Sequence, residues 1–358
     1  MTDRVFIIAE AGVNHDGSLD DARRMIDVAA GAGADAVKFQ TFQAGQLVTR
    51  RAGKAAYQAR NTGEDGGQLA MLKALELAHE DHRGLAAHAA ARGIRFMSTA
   101  FDLDSLAFLA ALDMPAVKIP SGDLTWGAML LAAARLDRPL IVSTGMADLD
   151  EIRDALSVIA FGLTRTGTPA GRADLARAFA DPAGQARLRE RVTLLHCTTE
   201  YPAPLTAVNL RAMDVMAQTF GLPVGYSDHT LGTSVAIAAA ARGATVIEKH
   251  FTLDRTRPGP DHAASLEPAE LAGMIAAIRD VEIALGRPVK APAPEELANR
   301  AIARRSLVAA RPISAGELFS LDNLTAKRPA DGISPMDIWP LLGQPAARAW
   351  QADEAIDA

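Results

Sequence analysis

The chain has 358 residues, 49% of them hydrophobic, with 37 lysines and arginines set against 43 aspartates and glutamates. That is long enough for one large α/β domain, alone or with a small companion, and apolar enough to bury a sizeable core. A net charge of −6 with both signs interspersed gives no electrostatic case for nucleic acid or an anionic membrane. The single cysteine, Cys197, excludes an internal disulfide framework and suits a reducing cytosol. The first residues lack the basic segment and apolar core of a signal peptide. No apolar run reaches the roughly 18 to 20 residues of a membrane span. The stretch from Met129 to Met146 comes closest and is broken by Arg135, Asp137 and Arg138. The expectation is a soluble, cytoplasmic protein.

Residues 5–9 form a β-type run ending at Glu10, followed by a turn-rich loop. Ser18 is placed to cap a helix, with Asp21 in the capping-box position and Leu19, Ala22, Met25, Ile26 and Ala29 at helical spacing. Residues 34–39 make a second strand that carries Lys38 and ends at Gln40. The pattern repeats over residues 94–98, 116–119, 140–142, 192–195, 224–226 and 244–247, with Ala/Leu-rich helical stretches between most of them. Eight such units fill residues 1 to about 285, close to the roughly 250 residues of a (β/α)8 barrel. Near-continuous apolar strands alternating with helices argue for a parallel sheet covered on both faces. No Gly-x-Gly-x-x-Gly follows any strand, which weighs against a dinucleotide-binding sheet.

Two gaps are too long for plain crossovers. Residues 42–78 hold a polar loop at residues 56–63, and residues 163–190 read as a surface insertion. Ala291-Pro-Ala-Pro294 signals a linker, and from Arg304 the texture changes to short β runs and turns at residues 306–310, 316–319 and 323–327. The expected organisation is a TIM barrel catalytic domain at residues 1–287, a linker at 288–303 and a small β-rich domain at 304–358. So small a domain is marginal by itself and is expected to dock on the barrel or on a second subunit.

Barrel enzymes carry their chemistry at the C-terminal strand ends. Those ends supply Glu10, Lys38, Gln40, Thr99, Lys118, Ser121, Tyr201, Ser227, His229, Glu248 and His250. Side chains alternate along a strand, so Glu248 and His250 share one face and Lys249 the other; Ser227 and His229 share a face opposed by Asp228. Two lysines with hydroxyl donors can hold a small dianion such as phosphate, two neutral imidazoles can ligate a divalent metal, and Glu10 or Glu248 can move a proton. Each residue has a plainer reading. Glu248 can pair with Lys38 or Lys118, His229 can be a hydrogen-bonded structural histidine, and Tyr201 a loop anchor. Met146 and Cys197 read as packing. Their shared position at one end of successive strands is what singles out the set.

Several stretches together resemble the sialic acid (N-acetylneuraminate) synthase family, which includes the legionaminic acid synthases. They are Ile7-Ile-Ala-Glu-Ala-Gly-Val-Asn-His15, Val37-Lys-Phe-Gln-Thr41, Val117-Lys-Ile-Pro-Ser-Gly-Asp123, Ile141-Val-Ser-Thr-Gly-Met146, Leu195-His-Cys-Thr-Thr-Glu-Tyr-Pro202, Gly225-Tyr-Ser-Asp-His229, Ile247-Glu-Lys-His-Phe251 and Arg257-Pro-Gly-Pro-Asp261. The tail around Gly316-Glu-Leu-Phe319 and Lys327-Arg-Pro-Ala-Asp-Gly332 resembles the antifreeze-like (SAF, β-clip) domain of those enzymes. The resemblance implies a metal-dependent condensation of phosphoenolpyruvate with an N-acetylmannosamine-type sugar, giving a nonulosonic acid and phosphate. It implies Lys38, Thr99, Lys118, Ser121, Thr199 and Ser227 for phosphoenolpyruvate. Gln40, Asn61, Asp123, Tyr201, Asp261 and, from the tail, Arg328 are implied for the sugar. His229 and His250 are implied for Mn2+, or Mg2+ or Co2+, with Glu10 and Glu248 joining them in catalysis. Arg328 acting on a partner subunit implies a domain-swapped homodimer. Thr199 stands where some members have Asn, and Asp123 where many have Glu. The motifs fit N,N'-diacetyllegionaminate synthases, which use a 2,4-diacetamido-2,4,6-trideoxymannose, equally well. Heptulosonate- and octulosonate-type synthases share the barrel without the tail, and a non-catalytic sugar-binding protein would leave the strand-end charges without a use.

Overall fold

The structure is a computed structural model that describes residues 4–63 and 67–357. Eight parallel strands close into a barrel in chain order. They are β1 (Phe6–Gly12), β2 (Ala36–Thr41), β3 (Arg95–Ala100), β4 (Val117–Ile119), β5 (Leu140–Ser143), β6 (Val192–Cys197), β7 (Val224–Asp228) and β8 (Val246–His250). Most strands run beyond the apolar stretches that announce them, because the backbone ladder between neighbours continues through the polar strand ends. No helix among the described residues is long and apolar enough to cross a membrane.

The first crossover shows how the sequence builds a unit. Ser18 Oγ accepts the Asp21 N–H at 3.2 Å and starts α1 (Leu19–Gly31), which buries Ala22, Met25, Ile26 and Ala29 against the barrel. Full burial of Met25 and Ile26 contributes about 1.5 to 3 kcal/mol each.

The connection between β2 and β3 is helical rather than a polar loop. It carries α2 (Ala44–Leu47), α3 (Ala56–Thr62) and α4 (Gln68–Leu75) before α5 (His79–Ala91). In α3 the Gln58 carboxamide accepts the Ala55 N–H at 3.0 Å, an end-capping contact that the polar composition hides. The insertion at residues 163–190 is likewise helical, with helices Arg172–Ala180 and Pro182–Arg191 after the long helix Leu149–Thr164. Asp181 caps the second of them and Pro182 occupies its first turn, where its missing N–H costs nothing.

The barrel interior is layered. Inward positions Ile8, Ala36, Met97, Ala116, Ile141, Leu195 and Val246 form an apolar plug. On β7 the equivalent position is Gly225, where a Cβ would lie 2.4 Å from the Val246 carbonyl oxygen. One inward step further along each strand stand Glu10, Lys38, Thr99, Lys118, Ser143, Cys197, Ser227 and Glu248.

The chain divides into two compact units, Met1–Gly286 and Arg287–Ala358. In the second unit, helix Pro294–Ala303 occupies part of the stretch read as a linker. Antiparallel strands β9 (Ser306–Ala309) and β10 (Leu324–Lys327) follow. Leu307, Ile313, Phe319, Leu324 and Trp350 make its own small core, with the Phe319 and Trp350 rings 5.5 Å apart. Residues 316–319 are a turn with one isolated bridge, Leu318 to Pro345. Gly316 at φ +81° bends the backbone there.

Candidate active site

The ring of inward polar side chains forms the floor of a cavity of about 450 Å³ at the C-terminal mouth of the barrel. The β1–β2 register sets Glu10 against Lys38, and the β1–β8 register sets Glu10 against His250. Lys38 Nζ lies 2.6 Å from Glu10, 3.0 Å from Thr99 Oγ1 and 3.5 Å from Glu248. Lys118 Nζ donates to Ser143 Oγ at 2.8 Å and sits 3.6 Å from Glu248. Ser227 Oγ donates to Glu248 at 2.8 Å. The plain reading of Glu248 as a partner of Lys38 and Lys118 is therefore realised with both lysines at once.

Burial raises the Glu10 carboxyl, and the opposing pull of Lys38 does not cancel it. Burial acts on Glu248 too, but Lys118 and Lys38 outweigh it and hold that carboxylate ionised. The two glutamates thus differ, one poised to hold a proton and one kept charged. Burial pushes Lys118 down, whereas in Lys38 the glutamates outweigh burial and raise it.

Above the floor, His229 and His250 stand with ring centroids 5.5 Å apart. His229 Nδ1 donates to the Thr198 carbonyl at 2.6 Å, which puts its lone pair on Nε2, 3.4 Å from a Ser227 hydroxyl whose proton goes to Glu248. His250 Nδ1 is buried without a hydrogen-bond partner, 3.8 Å from Asp261. Burial holds both imidazoles neutral, the protonation state a metal ligand requires. Gly12 keeps the adjoining space open: at φ +54°, a Cβ there would lie 3.3 Å from His250 Cε1 and 3.4 Å from Glu10 Oε1. The donor set thus fits a divalent cation held by two imidazoles. Among the described residues no group of three or more His, Cys, Asp or Glu is arranged to do so alone, so oxygens of water or substrate would complete the shell.

The cavity wall includes Gln40, Ser121, Asp123, Thr199, Tyr201 and Asp261. Tyr201 packs on His229 with centroids 4.1 Å apart, and Tyr57 of α3 packs on Tyr201 at 5.0 Å. Burial raises Asp123 and Asp261 to about 6 each, and Asp123 Oδ2 and Thr199 Oγ1 are buried without partners. Asn61, an expected sugar contact, does not line this wall. It instead donates to the Pro260 carbonyl at 2.7 Å, holding α3 to the loop that carries Asp261. Arg328 is exposed on the second unit.

Several contributors escape the sequence reading. Ser143 and Cys197 belong to the floor by strand parity, and Cys197 Sγ lies 3.1 Å from Ser121 Oγ rather than serving only as packing. Met146 is 71% exposed at φ +66°, so it does not pack either. The adjacent Gly145 N–H donates to Ser121 Oγ at 3.0 Å, and a Cβ on Gly145 would lie 2.4 Å from Thr199 Oγ1. Leu47, Val48, Met71, Leu72 and Leu75 line the cavity from the β2–β3 connection, where nothing in the sequence links them to the barrel mouth.

Comparison with known proteins follows the same lines. The NeuB family matches residues 25–290 and the SAF domain residues 304–358. The chain is 46% identical to the N,N'-diacetyllegionaminic acid synthase of Campylobacter jejuni subsp. jejuni serotype O:2, over 99% of each chain. It is 34% identical to the human N-acetylneuraminate-9-phosphate synthase, over 98% of this chain and 91% of that one. Among solved structures, the N-acetylneuraminic acid (sialic acid) synthetase of Leptospira borgpetersenii serovar Hardjo-bovis superposes with a TM-score of 0.66 at 32% identity, over 83% of this chain and 90% of that one. With most of the barrel and the tail matched, this chain belongs to the NeuB family of phosphoenolpyruvate-dependent synthases.

Proposed function

We propose that the protein condenses phosphoenolpyruvate with the open-chain aldehyde of an N-acetylmannosamine-type sugar, giving a nonulosonic acid and phosphate. The supporting observation is the floor itself, where Lys38 and Lys118 lie within 3.6 Å of Glu248 beneath two neutral imidazoles. In this reading Lys38 and Lys118, with Thr99, Ser121, Thr199 and Ser227, hold the phosphate and carboxylate of phosphoenolpyruvate as charge-assisted hydrogen bonds. An incoming dianion competes for Lys38 and loosens its hold on Glu10, which raises the proton affinity of Glu10 further.

His229 and His250 would hold a divalent cation, Mn2+ first and Mg2+ or Co2+ otherwise, which when bound supplies Lewis-acid polarisation of an aldehyde oxygen. Gln40, Asp123, Tyr201 and Asp261 orient the sugar so that its C1 faces C3 of the enol. The C3–C1 bond forms as the aldehyde π pair moves onto oxygen, and Glu10 delivers the proton that this oxygen takes up. Glu248, kept ionised by its lysines, accepts a proton from the water that adds at C2. Collapse of that adduct breaks the C2–O bond, releasing phosphate and leaving the 2-keto acid. Arg328 from a partner subunit completes the sugar site in a domain-swapped homodimer.

Incubation with phosphoenolpyruvate, Mn2+ and N-acetylmannosamine or its 2,4-diacetamido-6-deoxy analogue should release phosphate in proportion to a new keto acid. Absence of release with either sugar would overturn the reading. His250→Ala should abolish turnover and weaken Mn2+ binding in calorimetry while the unfolding midpoint holds. Mixing Arg328→Ala with His250→Ala protein should restore part of the activity if one intact site forms across a heterodimer; no recovery removes the swap.

A further inference from the structure

Resting on the synthase reading, we infer that Asn14 is a positioning residue: from outside the cavity its carboxamide fixes the spacing of His250 and Asp261, and through them the hold on the metal and on the acceptor sugar. Those two side chains stand on different segments. His250 ends β8, while Asp261 belongs to the loop beyond it. His250 Nδ1 and Asp261 Oδ2 lie 3.8 Å apart, outside hydrogen-bond reach. No direct bond sets their separation, so the backbone behind them must.

Asn14 supplies that link. It is fully buried in the turn after β1, where its N–H donates to the Ala11 carbonyl at 2.9 Å. One Nδ2 proton goes to the carbonyl of Phe251, the residue after His250, at 2.8 Å, and the other to Ser265 Oγ at 2.9 Å. Ser265 Oγ in turn donates to the Asp261 carbonyl at 2.7 Å. The donors run one way, from Asn14 through Ser265 to Asp261, because a carbonyl can only accept. The same logic fixes the amide: flipped, it would turn its oxygen on the Phe251 carbonyl. Asn14 Oδ1 has no hydrogen-bond partner among the described residues. A buried amide that leaves its acceptor unpaired, yet directs both donors to segments carrying cavity residues, is placed for those segments. The loop has other anchors. The Leu266 N–H donates to the His250 carbonyl at 2.9 Å, and His262 bonds Thr252 Oγ1 at 2.7 Å and Asp16 at 3.0 Å. Loss of the Asn14 arm therefore shifts the loop rather than freeing it.

The test uses the full-length protein with Mn2+, phosphoenolpyruvate and whichever of N-acetylmannosamine and its 2,4-diacetamido-6-deoxy analogue the wild type turns over. Asn14→Leu keeps the branched shape and removes both donors. It should weaken Mn2+ binding in calorimetry by about 10- to 100-fold and raise the sugar KM about tenfold, with the phosphoenolpyruvate KM at saturating Mn2+ within about twofold of wild type. Ser265→Ala cuts only the arm to Asp261. It should raise the sugar KM about fivefold and leave Mn2+ affinity within about twofold. A merely structural amide would lower the unfolding midpoint without this split. Mn2+ affinity and sugar KM within about twofold of wild type in Asn14→Leu therefore overturn the inference. If Asn14→Leu does not fold, Ser265→Ala decides alone, and an unchanged sugar KM overturns it. The synthase reading is judged on the wild type: no phosphate release overturns that reading, while the Mn2+ titrations of wild type and Asn14→Leu still decide whether Asn14 positions His250.

Discussion

Two buried charge clusters lie back to back across β8 of this barrel and have opposite characters. On the outer face, Lys249 and Asp228 are fully buried, and every contact between them is short. Lys249 Nζ donates to Asp228 at 2.9 Å and to the Thr230 carbonyl at 2.6 Å, while Asp228 accepts the Thr230 N–H at 2.9 Å and its hydroxyl at 2.8 Å. One residue away on the inner face, the cluster of Lys38, Lys118, Glu10 and Glu248 is as deeply buried but unfinished. Glu248 sits 3.5 and 3.6 Å from its two lysines, and Glu248 Oε2, Thr199 Oγ1 and His250 Nδ1 have no hydrogen-bond partner. A completed buried pair is structure; an incomplete one in a cavity marks where a ligand supplies the missing partners.

The contrast can be broken most forcefully from the outside. Lys249→Met leaves Asp228 buried and unpaired, and should cost about 3 to 5 kcal/mol of stability in denaturant unfolding. A loss below about 1 kcal/mol would show that the outer pair is not the completed lock it looks like.

His15 sharpens the comparison, because it is buried and incompletely satisfied away from the cavity. Its Nδ1 accepts the Gly17 N–H at 3.0 Å, its Nε2 has no partner, and burial lowers it from 6.5 to about 4. Between those values the unfolded chain takes up a proton that the folded chain refuses, so stability present above about pH 6.5 is lost as pH falls toward 4. The full loss is about 3 kcal/mol, and His15→Gln should remove that part of the acid slope in pH-resolved unfolding. An unaltered slope would place the acid sensitivity elsewhere.

The smallest expected effect on free energy lies on the inner face. Lys118→Met removes a cation that burial already disfavours, so stability should change by less than about 1 kcal/mol. Over the same substitution kcat/KM for phosphoenolpyruvate should fall about 100-fold, or about 2.7 kcal/mol. Destabilisation matching that of Lys249→Met would erase the distinction between the clusters.

Much of this was legible in one dimension. Strand alternation separated Glu248 and His250 from Lys249, and Ser227 and His229 from Asp228, and the structure keeps both divisions. The same parity reaches Ser143 and Cys197, but a serine in a Ser-Thr-Gly turn and a lone cysteine carry no charge to draw attention. Residues 56–63 read as a loop because α3 is held by contacts distant in sequence, Asn61 to Pro260 and Tyr57 to Tyr201. Residues 316–319 read as part of a run of short β segments and turns, and the structure makes them a turn at Gly316 with a single bridge at Leu318.

What the sequence by itself determined is local and periodic: eight strand–helix units, the inward parity of each strand-end residue, the Ser18 cap and the charge inventory at the barrel mouth. These follow from alternation along a strand and helical spacing, which act over a few residues. Only the tertiary structure decided which charges meet, because closing the barrel brings Glu10 beside both Lys38 and His250 and sets Glu248 between two lysines from other strands. It also decided that a helical connection between β2 and β3 supplies the apolar end of the cavity. Those contacts depend on strand register and helix packing across tens to hundreds of residues, distances at which no local pattern carries information.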